Sequence, residues 1–146
     1  MPTRFGMVAL TAEHLTTMMS WSPVALLAAL TLFQVKHFAC DFALQTPRQI
    51  QAKGNYGQLP GLEHAGLHAL ASIPAMLVLS HALIPIAIAV GGEFVIHYHV
   101  DWSKARLDRS RQFSATSTAY WVVFGFDQLI HQMTYLGLVV FLSPLR

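Results

Sequence analysis

Charge is what this chain has least of. Nine Lys and Arg and seven Asp and Glu make up 11% of its 146 residues, against roughly 25% in an ordinary soluble domain. With 54% hydrophobic residues and a mean hydropathy of +0.47, that deficit argues against a water-soluble globule. It also excludes disorder, which needs the opposite composition. Cysteine is nearly absent: Cys40 stands alone, so neither an internal disulfide nor a thiolate zinc cluster can form. A net charge of +2, with no basic face interleaved with aromatics, excludes a nucleic-acid partner. Histidine runs the other way, with eight residues. An apolar, charge-poor chain with abundant His is the feature to explain.

The length suits one domain over residues 1–146, with room for four membrane-crossing helices of about 20 residues each. Residues 1–20 do not read as a cleaved signal peptide, because Glu13 and His14 interrupt a short apolar run. A short amphipathic or loosely ordered N-terminal segment is expected there. Apolar segments follow over residues 23–45, 62–79, 83–104 and 119–142. The expectation is an all-α fold, an antiparallel four-helix transmembrane bundle. Segments two and three are close enough to form a tight hairpin. Pro74 is expected to kink segment two, and Gly91-Gly92 to admit a neighbouring helix closely.

Orientation follows from positive charge. Arg48 and Lys53 follow segment one; Lys104, Arg106, Arg109 and Arg111 follow segment three; the hairpin has neither Lys nor Arg. The positive-inside rule makes the basic end cytoplasmic and puts both termini outside. Trp21, Trp102 and Tyr120-Trp121 fall where interfacial aromatic belts are expected. Residues 105–118 read as a basic, amphipathic connection along the cytoplasmic membrane surface.

Each segment carries an ionisable pair at i, i+4: His37 and Asp41, His64 and His68, His97 and Asp101, Asp127 and His131. On a helix each pair shares one face. Antiparallel packing brings all four toward one level in the cytoplasmic half of the bilayer. A charged Asp at a helix centre costs roughly 2.5–3.5 kcal/mol, so Asp127, the deepest, is expected to face the bundle interior. Imidazole and carboxylate without thiolate suit Zn²⁺ first, with Mn²⁺ or Fe²⁺ as alternatives. All eight residues are candidate metal ligands. Asp41, Asp101 and Asp127 are also candidates for catalytic roles, and Gln45, Lys53, Lys104 and Gln128 for supporting ones. An ion with an open position would activate water for hydrolysis. The lipid bilayer is the expected partner, with a lipid-linked substrate, a membrane protein or a second copy of the chain as further candidates.

Blander readings stand beside this one. Such pairs can act as interhelical glue. They can also relay protons or cations, bind haem as opposed His (a poorer fit, given the Asp partners), or belong to an accessory subunit without chemistry of its own. His14, His81 and His99 lie off the rows and read as interfacial. Glu93, four residues before His97, could extend that row. Gln34 reads as a hydrogen-bond partner and Cys40 as a small packing residue. Lys53 and Lys104 read as boundary charges, with an anionic headgroup as the alternative ligand.

The stretch from Lys36 to Thr46, with His37, Asp41-Phe42 and Leu44-Gln45, followed by Lys53, resembles the opening motif of domain-of-unknown-function family 3307. His64 and His68 match its second-helix histidines. His97, Asp101 and Lys104 match a third motif, and Asp127-Gln128 with His131 match its closing one. Cys40 stands where a small or aliphatic residue is more usual. The resemblance covers roughly residues 30–140. It implies a small bacterial or phage multi-pass membrane protein in the inner membrane, without an established activity.

Overall fold

The computed structural model describes residues 22–143. The expected N-terminal segment, His14, Trp21 and the two chain ends lie outside them. Every regular element among the described residues is helical. Helix α1 (Pro23–Phe38) starts on Ser22, whose hydroxyl accepts from Ala25 N–H at 3.1 Å, with Pro23 in the first turn. It runs directly into a π-helical turn, Ala39–Ala43, closed by a Leu44 N–H to Ala39 C=O bond of 2.8 Å. Such wider turns are frequent at functional sites, and this one carries Asp41. A Thr46–Gln49 capping box opens the short α2 (Pro47–Ala52).

Helices α3 (Leu59–Ala71) and α4 (Ile73–Leu79) come from one apolar segment. The interruption expected at Pro74 falls at Ser72: proline lacks the N–H that a continuous helix needs, so Pro74 becomes part of a new first turn. Helix α5 (Leu83–Arg111) is longer than expected. Residues 105–111, read from sequence as surface-lying chain, are its last two turns; only 112–117 connect to α6 (Thr118–Leu142). Charge ended the apolar run at Lys104, but these charged and polar residues are compatible with continued helix. Gln112, in the left-handed region at φ 51°, ends it.

Three helical stretches, Pro23–Ala43, Leu59–Leu79 and Leu83–Arg111, are long and apolar enough to cross a membrane. Helix α6 has the length, at 25 residues, but its centre holds Asp127, Gln128, His131 and Gln132. The same residues that make it interesting remove it from that class. Outward-facing side chains are strongly apolar: Val24 and Ile84 are each 76% exposed and Leu83 75%. In water such a surface would be an aggregation liability; against hydrocarbon it is ordinary.

Helix α3 packs along α5, α5 along α6, α1 along α4, and α2 on α3. The α5–α6 contacts run in opposite directions, His97 against His131 and Lys104 over Phe124. Around α4, one end of the molecule is filled by apolar residues including Ala29, Phe33, Met76, Leu79, Ile86 and Leu142. Toward the other end the buried residues turn polar. Gly91 and Gly92 do not serve as the expected contact point, since an added Cβ at either meets nothing within 4 Å.

The loop after α2 is pinned to α5. Gly57, at φ +78°, donates its N–H to Tyr98 Oη at 2.6 Å. Tyr56 packs edge-on against Tyr98 and Trp102. Arg109 donates to Asn55 Oδ1 at 2.8 Å and to the Gln51 carbonyl. A side chain at Gly54 would collide with that guanidinium, 2.6 Å from the position of a Cβ. This anchorage holds Lys53 in place.

Candidate functional site

The four i, i+4 pairs converge. His64 and His68 from α3, His97 from α5 and His131 from α6 are all at most 2% exposed. Their rings pack against one another, with centroid separations of 4.7 Å for His64–His68, 3.9 Å for His68–His97 and 4.3 Å for His97–His131. Two carboxylates join them. Asp41 Oδ1 lies 3.1 Å from His64 Nε2 and 3.4 Å from His68 Nε2. Asp101 Oδ2 lies 3.3 Å from His97 Nε2 and 3.4 Å from His64 Nε2, with Oδ1 3.9 Å from His131 Nε2.

Two overlapping groups have ligand geometry. One atom from each of Asp41, His64, His68 and His97 lies within 4.8 Å of the others, and so do atoms of His97, Asp101 and His131. His97 belongs to both. Several buried atoms here approach a carboxylate without a well-formed hydrogen bond: His68 Nε2, His97 Nε2 and His131 Nε2. An unsatisfied buried polar group costs about 1–3 kcal/mol, so their clustering needs a reason. Nitrogen and oxygen donors turned toward one another fit a divalent cation.

His37 and Asp127 flank this centre. His37 Nε2 is 2.9 Å from Gln128 Oε1 and 3.3 Å from Asp41 Oδ2, while its Nδ1 meets the Tyr135 hydroxyl at 2.9 Å. Asp127 Oδ1 is 3.8 Å from His131 Nδ1, and that nitrogen donates to the Asp127 carbonyl at 2.8 Å. The supporting residues divide. Gln45 Nε2 is 3.1 Å from His64 Nε2, and Gln128 Nε2 donates to Asp127 Oδ2 at 3.1 Å. Lys53 enters the site, its Nζ 2.8 Å from Asp101 Oδ2 and 3.8 Å from Asp41 Oδ1. Lys104 instead pairs with Asp108 at 2.9 Å, at the wall of the cavity described below.

A cavity of about 400 Å³ opens on the cluster; Asp41, Lys53, Asp101, Lys104, Asp127 and Gln128 help line it. Behind the cluster, away from this cavity, is an ion pair that the i, i+4 pattern did not reveal. Lys36 Nζ lies 2.5 Å from Glu93 Oε1 and donates to the His68 carbonyl at 3.2 Å. Ser72 Oγ donates to the same Glu93 oxygen at 2.9 Å, and Lys36 sits over the Tyr135 ring. The signal was two opposite charges at similar depth in spans otherwise poor in charge. Glu93 thus pairs with Lys36 and does not extend the His97 row inward. His99 lies apart, bonded to Tyr56 and the Val95 carbonyl.

No curated protein and no solved structure matches the chain. The family model described as protein of unknown function DUF3307 matches residues 29–144, which takes in every converging His and Asp, and the chain belongs to that family.

Proposed function

We propose that this chain is a single integral domain of the bacterial inner membrane, an antiparallel four-helix bundle that binds a divalent metal ion in its His/Asp cluster. The observation that carries the reading is the convergence of Asp41, His64, His68 and His97, drawn from three separate elements, to within one ion's reach. Asp101 and His131 stand ready on the other side of His97. Nitrogen-rich donors without sulfur favour Zn²⁺, with Mn²⁺ or Fe²⁺ next. His37 and Asp127 orient the centre through Asp41 and His131, a role that carboxylate and amide neighbours commonly play at metal sites. Arg48, Lys53, Lys104, Arg106 and Arg109 gather at the cluster's end of the bundle, which makes that end cytoplasmic and both termini external.

The cavity gives water and a substrate access to the centre, so metal-assisted hydrolysis is the chemistry that the site suits. An ion held by Asp41, His64, His68 and His97 would supply Lewis acidity for that chemistry. Asp127, whose carboxylate helps line the cavity, would accept the proton of an attacking water and return it to the leaving oxygen. A transmembrane proton or cation path is the weaker reading, because the outer half is filled by Phe33, Met76, Leu79 and Leu142. Haem is weaker still: stacked rings 3.9 Å apart leave no gap for a macrocycle.

Zinc titration against a chromophoric chelator tests the proposal. The expected result is saturable binding near one ion per chain. His97→Ala should weaken it by about 100-fold or more, while His99→Ala, outside the cluster, should bind like the wild type. Absence of saturable binding, or equal binding by His97→Ala, would overturn it.

A further inference from the structure

The cavity over the cluster does not end at its polar wall. Lys104 and Asp127 are shared with a second hollow, between α5 and α6, lined by Val100, Leu107, Val123, Phe126 and Ile130. Ile130 is shared in turn with a third, where Ile88, Gly92, Ile96, Met133, Gly137 and Phe141 line the same seam toward the other end of the helices. The three form one track. From Lys104 to Ile88 it extends about 24 Å at 1.5 Å per helical residue, most of a hydrocarbon core of about 30 Å. Gly92 and Gly137 keep its floor open: an added Cβ at either meets nothing within 4 Å.

We infer that this track holds a lipid with a phosphate-bearing headgroup, the headgroup in the cavity against the metal centre and a chain along the α5–α6 seam. The polar end sets the charge. Asp41, Asp101, Asp108 and Asp127 line the cavity with Lys53, Lys104 and Arg109, four carboxylates against three cations. A divalent ion in the cluster turns that balance positive, so the inference rests on the proposed metal centre. The apolar end sets the length and excludes water-soluble phosphates as complete ligands. Lys104, between the two ends with its side chain 25% exposed, is the residue placed to meet the headgroup at the membrane boundary.

The test uses the full chain in detergent, zinc-loaded, with zinc content measured in every sample. Phosphatidic acid, phosphatidylcholine with the same chains, and inorganic phosphate are the probes, read by native mass spectrometry. The expected result is one phosphatidic acid per chain, held at least about tenfold tighter than phosphatidylcholine and not displaced by inorganic phosphate. Gly137→Leu and Gly92→Leu fill open space, so both should keep their zinc while losing about tenfold or more in phosphatidic acid binding. Chelation should release the lipid from the wild type. Equal retention of the two lipids, wild-type retention by both glycine variants, or displacement by inorganic phosphate would overturn the inference. Retention of phosphatidic acid after chelation would overturn the charge argument alone, whereas a wild type that takes up no zinc would overturn the metal reading on which the inference rests.

Discussion

Stripping the bound ion with a chelator is expected to lower the midpoint of thermal unfolding, and restoring zinc to recover it. Binding to the folded state alone stabilises by about 4 kcal/mol when free metal is a thousandfold above its dissociation constant. Removing the ion also leaves His68 Nε2, His97 Nε2 and His131 Nε2 buried with no well-formed hydrogen bond, at a cost of about 1–3 kcal/mol per unsatisfied group. His97→Ala removes the ligand common to both groups, so its midpoint should respond to chelator and zinc much less than the wild type's does. Thermal scans of the two proteins in the same detergent decide this. A wild type indifferent to chelation, or a His97→Ala variant that responds as the wild type does, contradicts the account.

The second large effect lies behind the metal centre. Glu93 is 1% exposed and Lys36 7%, and each neutralises the other. Lys36→Met leaves the Glu93 carboxylate buried with only Ser72 as a donor. Breaking one side of such a pair typically costs about 3–5 kcal/mol. Replacing both partners, Lys36→Met with Glu93→Leu, removes the stranded charge and should recover most of the loss. The unfolding midpoints of the two variants are the readout. A single variant as stable as the wild type, or a double variant no better than the single, would show that the pair is not what holds α1 against α5. Because Lys36 also donates to the His68 carbonyl, the single variant should disturb zinc affinity as well as stability.

The i, i+4 pairs were legible because helical periodicity fixes which face a residue takes, and an apolar span leaves a His–Asp pair nowhere favourable except the interior. Convergence of four such faces followed from alternating direction and matched depth. Lys53 was named as a supporting residue, but its direct pairing with Asp101 was not legible. It lies in irregular chain after α2, and its position depends on Tyr98 and Arg109 bonds to that loop, which no period encodes. Lys36 escaped for a different reason: its partner is 57 residues away, and a single charge beside His37 reads as part of the same polar edge. The end of α5 was misplaced because hydropathy marks where an apolar run stops, whereas the helix itself continues to Arg111. Pro74 did mark its break, since a missing N–H acts locally whatever the tertiary context.

X-ray absorption at the metal edge of the purified, zinc-loaded chain tests the central claim most directly. The account predicts a first shell of nitrogen and oxygen at about 2.0–2.1 Å with imidazole scattering beyond it, diminished in His97→Ala. A sulfur shell near 2.3 Å, or no ordered metal shell at all, would contradict it.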